Sequence, residues 1–261
     1  MDHKNGKKSV KCSMAFDGLL PCHSEVFTKS KYSSEDMALP EAIMNHVKQD
    51  VNHQNIYVID RGFQPTRTMN SFTNDAVTFI VRAKENRKHV EFQSLLNKNQ
   101  DLDLGELTLI KDSKVNLYTG KAIHNKKGNI HYREELVETP FRLIVAKTKT
   151  EQPKYFWFIT NDFDLSAKQV AQAYRRRWNI EVFFRFIKQE LNVSHLVSLN
   201  KNGIEVLLYM TLIVAMLILI YKKANKIGYK TAKRRFKMEL RNLAIAMIVV
   251  DCKGNLNHFE T

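Results

Sequence analysis

The chain changes rhythm once. Up to residue 161 it consists mainly of short apolar runs punctuated by turn residues, and from Ser166 onward the apolar positions fall at helical spacing. Residues 9–16 form a strand candidate. Asp17-Gly18 makes a turn before Leu19-Leu20-Pro21, and residues 26–28 end the returning strand of a hairpin. Ser34 with Glu35 and Asp36 opens a helix to about residue 48, whose Met37, Ala38, Ala42, Ile43, Met44 and Val47 would pack on a sheet. Ile56-Tyr57-Val58-Ile59 is a continuous apolar run, as expected of a buried strand, and it ends in Asp60-Arg61-Gly62-Phe63. Residues 76–83 predict another strand, closing into Lys84-Glu85-Asn86-Arg87-Lys88. Three short alternating segments follow at 107–110, 115–118 and 141–145. They are separated by turn formers at Asp112-Ser113, at 125–129 and at Thr139-Pro140, and residues 155–161 then return to the sheet.

Ser166 can cap the next helix, with Gln169 completing a capping box, and no Gly or Pro follows until Gly203. At roughly 100° per residue, Tyr174, Arg177, Glu181 and Lys188 share a sector of about 60°. Apolar residues flank this stripe: Ile180, Phe183, Phe184, Ile187 and Leu191 on one side, Val182 and Phe186 on the other. A charged stripe is often only a solvated face, and Arg177 with Glu181 can form a plain intrahelical pair. This one is narrow, mixed in sign and adjoined by Trp178, which favours function. Residues 206–221 are almost all apolar and predict a buried helix; a membrane span is the alternative, but it needs about twenty residues and here meets Glu205 and Lys222. Residues 222–241 are strongly basic, suited either to DNA phosphates or to an exposed amphipathic helix, and 243–250 are expected to pack back on the core.

With 261 residues the chain can hold one domain with an insertion or two domains. Its 41 basic and 27 acidic residues leave a net charge of +14, which favours a polyanionic partner: DNA, RNA or an anionic membrane. Cys12, Cys22 and Cys252 have neither zinc-ligand nor disulfide spacing, in keeping with a reducing cytoplasm. The basic start lacks the apolar stretch of a signal peptide.

The spacing Tyr174-x2-Arg177-x3-Glu181-x6-Lys188, within Arg-Trp-x-Ile-Glu-x-Phe-Phe-x-x-x-Lys, resembles the signature of the DDE insertion-sequence transposases of the IS-four group. Asp60-Arg61-Gly62-Phe63 and Phe158-Ile159-Thr160-Asn161 stand in the family's order, and the resemblance covers roughly residues 7 to 220. It implies an α/β, RNase H-like (retroviral integrase-like) core with a β-rich insertion between the second Asp and the Glu. The expected parts are 1–83 and 151–222 for the core, 84–150 for the insertion, and 223–261 for a basic helical region. Asp60, which alone reads as a cap or turn residue, would be the second metal-binding Asp, and Glu181 the last carboxylate. Tyr174, Arg177 and Lys188 would hold DNA phosphates, and Trp178 could stack on a displaced base. The resemblance further implies Mg²⁺ or Mn²⁺, transposon-end and target DNA as partners, a homodimer in the synaptic complex, no membrane, and a cytoplasmic, nucleoid-associated location.

Carboxylates from separate elements are needed because hard divalent cations are held by oxygen ligands that must converge on the reacting phosphate. The family's first Asp lies on a strand upstream of the segment resembling Gly6-Lys7-Lys8-Ser9-Val10-Lys11. The chain is therefore expected to begin beyond that Asp and beyond any N-terminal DNA-binding region, leaving activity in question. Asp2 and Asp17 are the local substitutes, and Asp17 reads first as a turn residue. A binder that keeps the phosphate grip without cleaving is the competing function.

Overall fold

A computed structural model describes residues 2–4, 7–50, 55–97, 101–124, 130–191 and 200–255. In chain order the elements are β1 (Asp2–Lys4), β2 (Lys7–Ser9), β3 (Lys11–Phe16), β4 (Pro21–Phe27), α1 (Glu35–Gln49), β5 (Ile56–Ile59), α2 (Thr66–Asn74), β6 (Thr78–Ala83), β7 (His89–Ser94), β8 (Leu107–His124), β9 (Ile130–Leu136), β10 (Phe141–Thr148), β11 (Tyr155–Thr160), α3 (Ala167–Arg176), α4 (Trp178–Glu190), α5 (Lys201–Asn225) and α6 (Tyr229–Asp251). They form two compact units. A sheet unit comprises Met1–Ser13 and Phe27–Trp178, and a helical unit comprises Met14–Val26 and Asn179–Thr261.

The sheet unit is mixed α/β. Its main sheet has the order β5-β6-β11-β10-β8-β7, with β9 paired to the far half of β8. β5 and β6 run parallel and the other pairings are antiparallel. Because side chains alternate across a strand, β6 sends Phe79, Val81 and Ala83 to one face and Ile80 to the other, and β10 splits Leu143 and Val145 from Ile144 and Ala146. One face is covered by α1 and α2 through Ile43, Met69 and Phe72, the other by α3 through Ala167, Val170 and Ala171. Phe63, Phe72, Phe79 and Phe141 follow one another at ring distances of 6.2, 6.1 and 6.2 Å, a continuous aromatic spine beneath the first face. β10 is buried over its first six residues, which explains a run that is apolar apart from Arg142.

Three expectations are corrected here. β5 is an edge strand with only Ile59 buried, since among the described residues it is paired on one side alone. The segments 107–110 and 115–118 are parts of one strand, β8, running through Asp112 and Ser113, both of them buried. No turn forms because Arg142 of β10 answers the Asp112 carboxylate with two parallel bonds, Nε to Oδ1 at 2.8 Å and Nη2 to Oδ2 at 2.7 Å. A bulge leaves Ile110 unpaired between Lys111 and Leu109, so Leu109 faces α3 although Val115 and Leu117, of the same parity, face α1 and α2. Finally, the helix from Ser166 is two helices. Arg177 N–H bonds Tyr174 O at 3.1 Å, a tightened i to i−3 turn, and α4 starts at Trp178. The predicted capping box is present: Gln169 N–H donates to Ser166 Oγ at 3.2 Å and Ser166 N–H to Gln169 Oε1 at 2.8 Å. The predicted turn at 125–129 lies outside the described residues.

In the helical unit the tip of the β3–β4 hairpin packs on α4 and α5. Phe16 stacks on Phe183 at 5.2 Å, Asn179 Nδ2 donates to Gly18 O at 3.3 Å, and Tyr209 Oη donates to Ser24 O at 3.4 Å. α5 is longer than expected, 25 residues, and is long and apolar enough to cross a membrane. Only one side of it is buried, through Ile204, Leu208, Leu212, Ala215, Ile218 and Leu219; Val206, Met210, Ile213, Leu217 and Ile220 are exposed. The segment 243–250 does not pack back on a core. It continues α6, and Leu243, Met247, Ile248 and Val250 are exposed.

Candidate active site

Strand β5 delivers Asp60 at its C-terminal end, where the chain turns before α2. Asp60 O accepts from Phe63 N–H at 3.1 Å, and its Oδ1 accepts from Arg61 N–H at 2.7 Å. Phe63 is fully buried in the first core and pins the turn from below. Above it, Gln64 Nε2 donates to Arg61 O at 2.5 Å and to Arg82 O at 3.2 Å. Arg87 then clamps Gln64 and Thr66: Nη1 donates to Gln64 Oε1 at 2.7 Å, and Nη2 to Gln64 O at 2.7 Å and to Thr66 Oγ1 at 2.6 Å. Burial pulls the Arg87 guanidinium below the usual arginine range, and among the described residues no carboxylate lies within 4 Å of it. Such a cation is costly to bury and here spends its donors on holding the Asp60 turn.

The end of α3 brings Arg177 to this carboxylate. Arg177 Nη1 lies 3.5 Å from Asp60 Oδ1, with the arginine side chain 17% exposed and the aspartate 54% exposed. The Arg177 guanidinium also lies 5.4 Å from the centre of the Tyr174 ring, and that ring packs on Phe158 at 5.2 Å. Burial pushes the Tyr174 hydroxyl above the ordinary tyrosine range; Arg177 opposes the shift and Asp60 reinforces it. Tyr174, like any tyrosine, keeps its proton at neutral pH and can donate a hydrogen bond. Arg82 completes the rim, its guanidinium 4.3 Å over the Phe156 ring. A half-exposed carboxylate, two guanidinium groups and a neutral phenol therefore meet at the C-terminal ends of β5 and β6, the position where open sheets bind ligands.

Glu181 and Lys188 lie on α4, in the helical unit. Glu181 is half-buried in the first turn, where a carboxylate suits the helix dipole, and Lys188 is exposed near the C-terminus with Nζ 5.8 Å from the Phe184 ring. Trp178, at the start of α4, is 53% exposed. Asp17 is a turn residue, its Oδ1 accepting from Leu19 N–H and Leu20 N–H, both at 2.7 Å, while Asp2 lies on β1. The donor chemistry of Asp60 and Glu181 suits a hard divalent cation. Among the described residues, no three His, Cys, Asp or Glu side chains gather into a metal-binding cluster.

The family described as "Transposase DDE domain" matches residues 1–217. This chain belongs to that family. Its match runs from β1 into α5 and leaves α6 outside. The transposase domain is 26% identical over 157 residues to a protein of Geobacillus stearothermophilus named as a transposase for insertion sequence element IS5377, covering 60% of this chain and 37% of the relative. It is 26% identical over 176 residues to a Synechocystis protein named as a transposase for insertion sequence element IS4SA, covering 67% and 43%. The chain thus spans less than half the length of these relatives. Among solved structures it is similar to the piggyBac transposase synaptic complex with hairpin DNA, with a TM-score of 0.43, 10% identity, and coverage of 92% of this chain and 48% of the other.

Two features of the transposase domain were not foreseen from sequence. Arg87 is one of a charged stretch closing the strand expected at 76–83 and Gln64 carries no signal of its own, and only their contacts reveal the clamp on the Asp60 turn. Arg142 is the other. Besides Asp112, it donates through Nη1 to Leu165 O, the residue before the cap of α3, and so fixes the start of the helix that ends in Tyr174 and Arg177. The signal for it was a lone Arg inside the otherwise apolar run Phe141-Arg142-Leu143-Ile144-Val145.

Proposed function

We propose that this chain carries the catalytic portion of a DDE transposase, which nicks transposon ends and transfers strands to target DNA in a metal-dependent reaction. In this reading the sheet unit is the RNase H-like core with 84–150 as its β-rich insertion. Asp60 and Glu181 are two of the metal-binding carboxylates, and Tyr174, Arg177 and Lys188 grip DNA phosphates. The observation that carries it is the strand-end carboxylate of Asp60 held 3.5 Å from Arg177 of the Tyr-Arg-Glu-Lys signature. The mixed sheet with helices on both faces supports the same reading.

Asp60 and Glu181 would hold Mg²⁺ or Mn²⁺, which when bound supplies activation of the attacking oxygen and neutralisation of the leaving one. The chain's own residues position the phosphate. Arg177 offers a planar set of donors to phosphate oxygens, and the Tyr174 hydroxyl donates one more hydrogen bond. Trp178 is exposed enough for a displaced base to stack on it. The partners are end and target DNA, the working form is a homodimer, and the location is the nucleoid-bearing cytoplasm.

A second reading, a DNA binder that retains the grip without cleaving, is favoured by Asp17, whose carboxylate oxygen is committed to its own turn rather than to a metal site. Purified protein incubated with a plasmid carrying the DNA that flanks the gene, with Mg²⁺ or Mn²⁺, tests both. Nicking that disappears in Asp60→Asn and Glu181→Gln supports the enzyme; nicking that survives either change refutes the assignment. Binding without nicking selects the second reading.

A further inference from the structure

The segment 222–241 holds nine basic residues and one acidic one, Glu239, so its net +8 supplies more than half of the +14 of the whole chain. None of it lies in the residues matched to the transposase family, and nothing in the catalytic reading uses it. On α6, Lys230, Arg234, Lys237 and Arg241 stand four, three and four residues apart, one stripe about 16 Å long at 1.5 Å per residue. All four are exposed, and among the described residues none has a carboxylate within 4 Å. Lys233, beside them, is already satisfied: its Nζ donates to Glu190 O at 2.5 Å and to Glu190 Oε2 at 3.1 Å. Glu190, Lys230, Thr231, Lys233, Arg234 and Lys237 together line a concavity of about 370 Å³. Its single carboxylate is neutralised by Lys233, which leaves three unpaired cations and a hydroxyl facing the hollow.

We infer that this stripe is a second DNA surface, one that seats the phosphate backbone of a duplex independently of the signature residues. The other side of the same half-helix argues against the common alternative, a basic helix lying on an anionic membrane, and the vesicle arm of the test below decides between them. Such a helix needs a free apolar face. On this half of α6 the larger aromatic residues are used inside: Tyr229 packs on Phe186 at 4.7 Å, Phe236 meets Tyr221 at 5.8 Å and Ala232 is fully buried, which leaves Met238 and Leu240 as its exposed apolar side chains. Cations unpaired on the outward side, with the inward side packed, fit a rigid polyanion lying along the stripe. The contacts are to phosphate, so binding is indifferent to sequence.

The inference rests on the DNA reading above for the nature of the partner but not on cleavage. It is tested with the full chain and a random-sequence 30-base-pair duplex, without metal, across a salt series. The triple variant K230A/R234A/K237A changes only exposed side chains. It is expected to bind at least tenfold more weakly at 0.1 M salt and to lower the slope of log K against log salt by about 2.7, three phosphates' worth. The control K147A/K149A/K154A, with the same change in net charge on the sheet unit, is expected to shift the slope by less than about one contact's worth. An unchanged slope in the α6 variant, or equal losses in the two triples, overturns the inference. So does loss of binding to phosphatidylserine vesicles with DNA binding intact. The catalytic reading is judged separately by nicking in Asp60→Asn, so either idea can fail alone.

Discussion

Arg142 in the sheet unit and Arg234 in the helical unit have the same side chain and opposite circumstances. Arg142 is buried between β10 and α3, gives two bonds to Asp112 and a third to Leu165 O, and has no contact with solvent worth the name. Arg234 stands on the outside of α6 with, among the described residues, no carboxylate within 4 Å of it; Glu190, which lines the same hollow, is paired with Lys233. The largest buried aromatics and the most exposed aliphatics also lie in different units. The sheet unit hides Phe63, Phe72, Phe79 and Phe141 completely, whereas the far parts of α5 and α6 present Met210, Ile213, Met247 and Ile248 to solvent. The lesson is that the buried arginines of the sheet unit are spent on specific partners, Arg142 on Asp112 and Leu165 O and Arg87 on Gln64 and Thr66, and these contacts hold the elements that carry Asp60, Tyr174 and Arg177. The helical unit keeps its unmet charge and apolar surface on the outside.

The sharpest way to break this contrast is Asp112→Asn. It leaves the Arg142 charge buried without its partner, and unfolding of the sheet unit by urea should be easier by about 3–5 kcal/mol. Replacing both partners, Asp112→Leu with Arg142→Met, should recover most of that loss, because the charge and its desolvation disappear together. Reversal of the Arg234 charge should leave the urea midpoint within experimental error. A smaller effect is expected for Arg87→Met, about 1–3 kcal/mol for the donors lost to Gln64 and Thr66. Amide exchange in residues 60–66 should speed up while the spine around Phe79 stays protected, and Arg87→Lys should not restore protection, since one ammonium cannot replace the two-pronged clamp.

A pH series sharpens the comparison further. The Tyr174 hydroxyl is raised by burial in the folded state, so the native chain holds that proton more tightly than the unfolded chain does. Its contribution is therefore complete below the unfolded value of about 10 and is lost as pH rises through the higher folded value. Tyr229 in the helical unit is shifted the same way by burial. Urea midpoints between pH 9 and 11 should fall in the wild type. The fall should lessen in Tyr174→Phe for the sheet transition and in Tyr229→Phe for the helical one; an alkaline arm unchanged in both would mean neither phenol is buried as described.

Much of the fold up to α3 was legible in the sequence because alternation, turn and cap residues carry it. The hairpin at Asp17-Gly18, the helix after Ser34, the strand ending at Asp60 and the capping box at Ser166 all follow from local chemistry. The misreadings arose where a distant partner overrides a local rule. Asp112-Ser113 looks like a turn until Arg142, thirty residues away, is placed beside it. The division of the signature helix at Arg177 has no Gly or Pro to announce it. In the candidate site, Tyr174 and Arg177 could be named from spacing and Asp60 from the family resemblance, but Arg87 and Gln64 could not, because their role consists of contacts to each other, to backbone carbonyls and to a neighbouring hydroxyl.

The smallest expected effect on stability belongs to the outer half of α6, and its smallness is what makes it informative. Residues 243–250 were expected to contribute to a core, in which case polar replacements would cost kilocalories each. Met247 is 65% exposed and Ile248 63%, so Met247→Ser and Ile248→Ser should each alter the unfolding midpoint by no more than about 0.5 kcal/mol. The same two changes remove contiguous apolar surface, and the concentration at which the protein begins to scatter light should rise. A loss of about 2 kcal/mol or more in either variant would show that this helix is packed in solution. The helical unit would then have a buried interior over its whole length, and the contrast between the two units would narrow to charge alone.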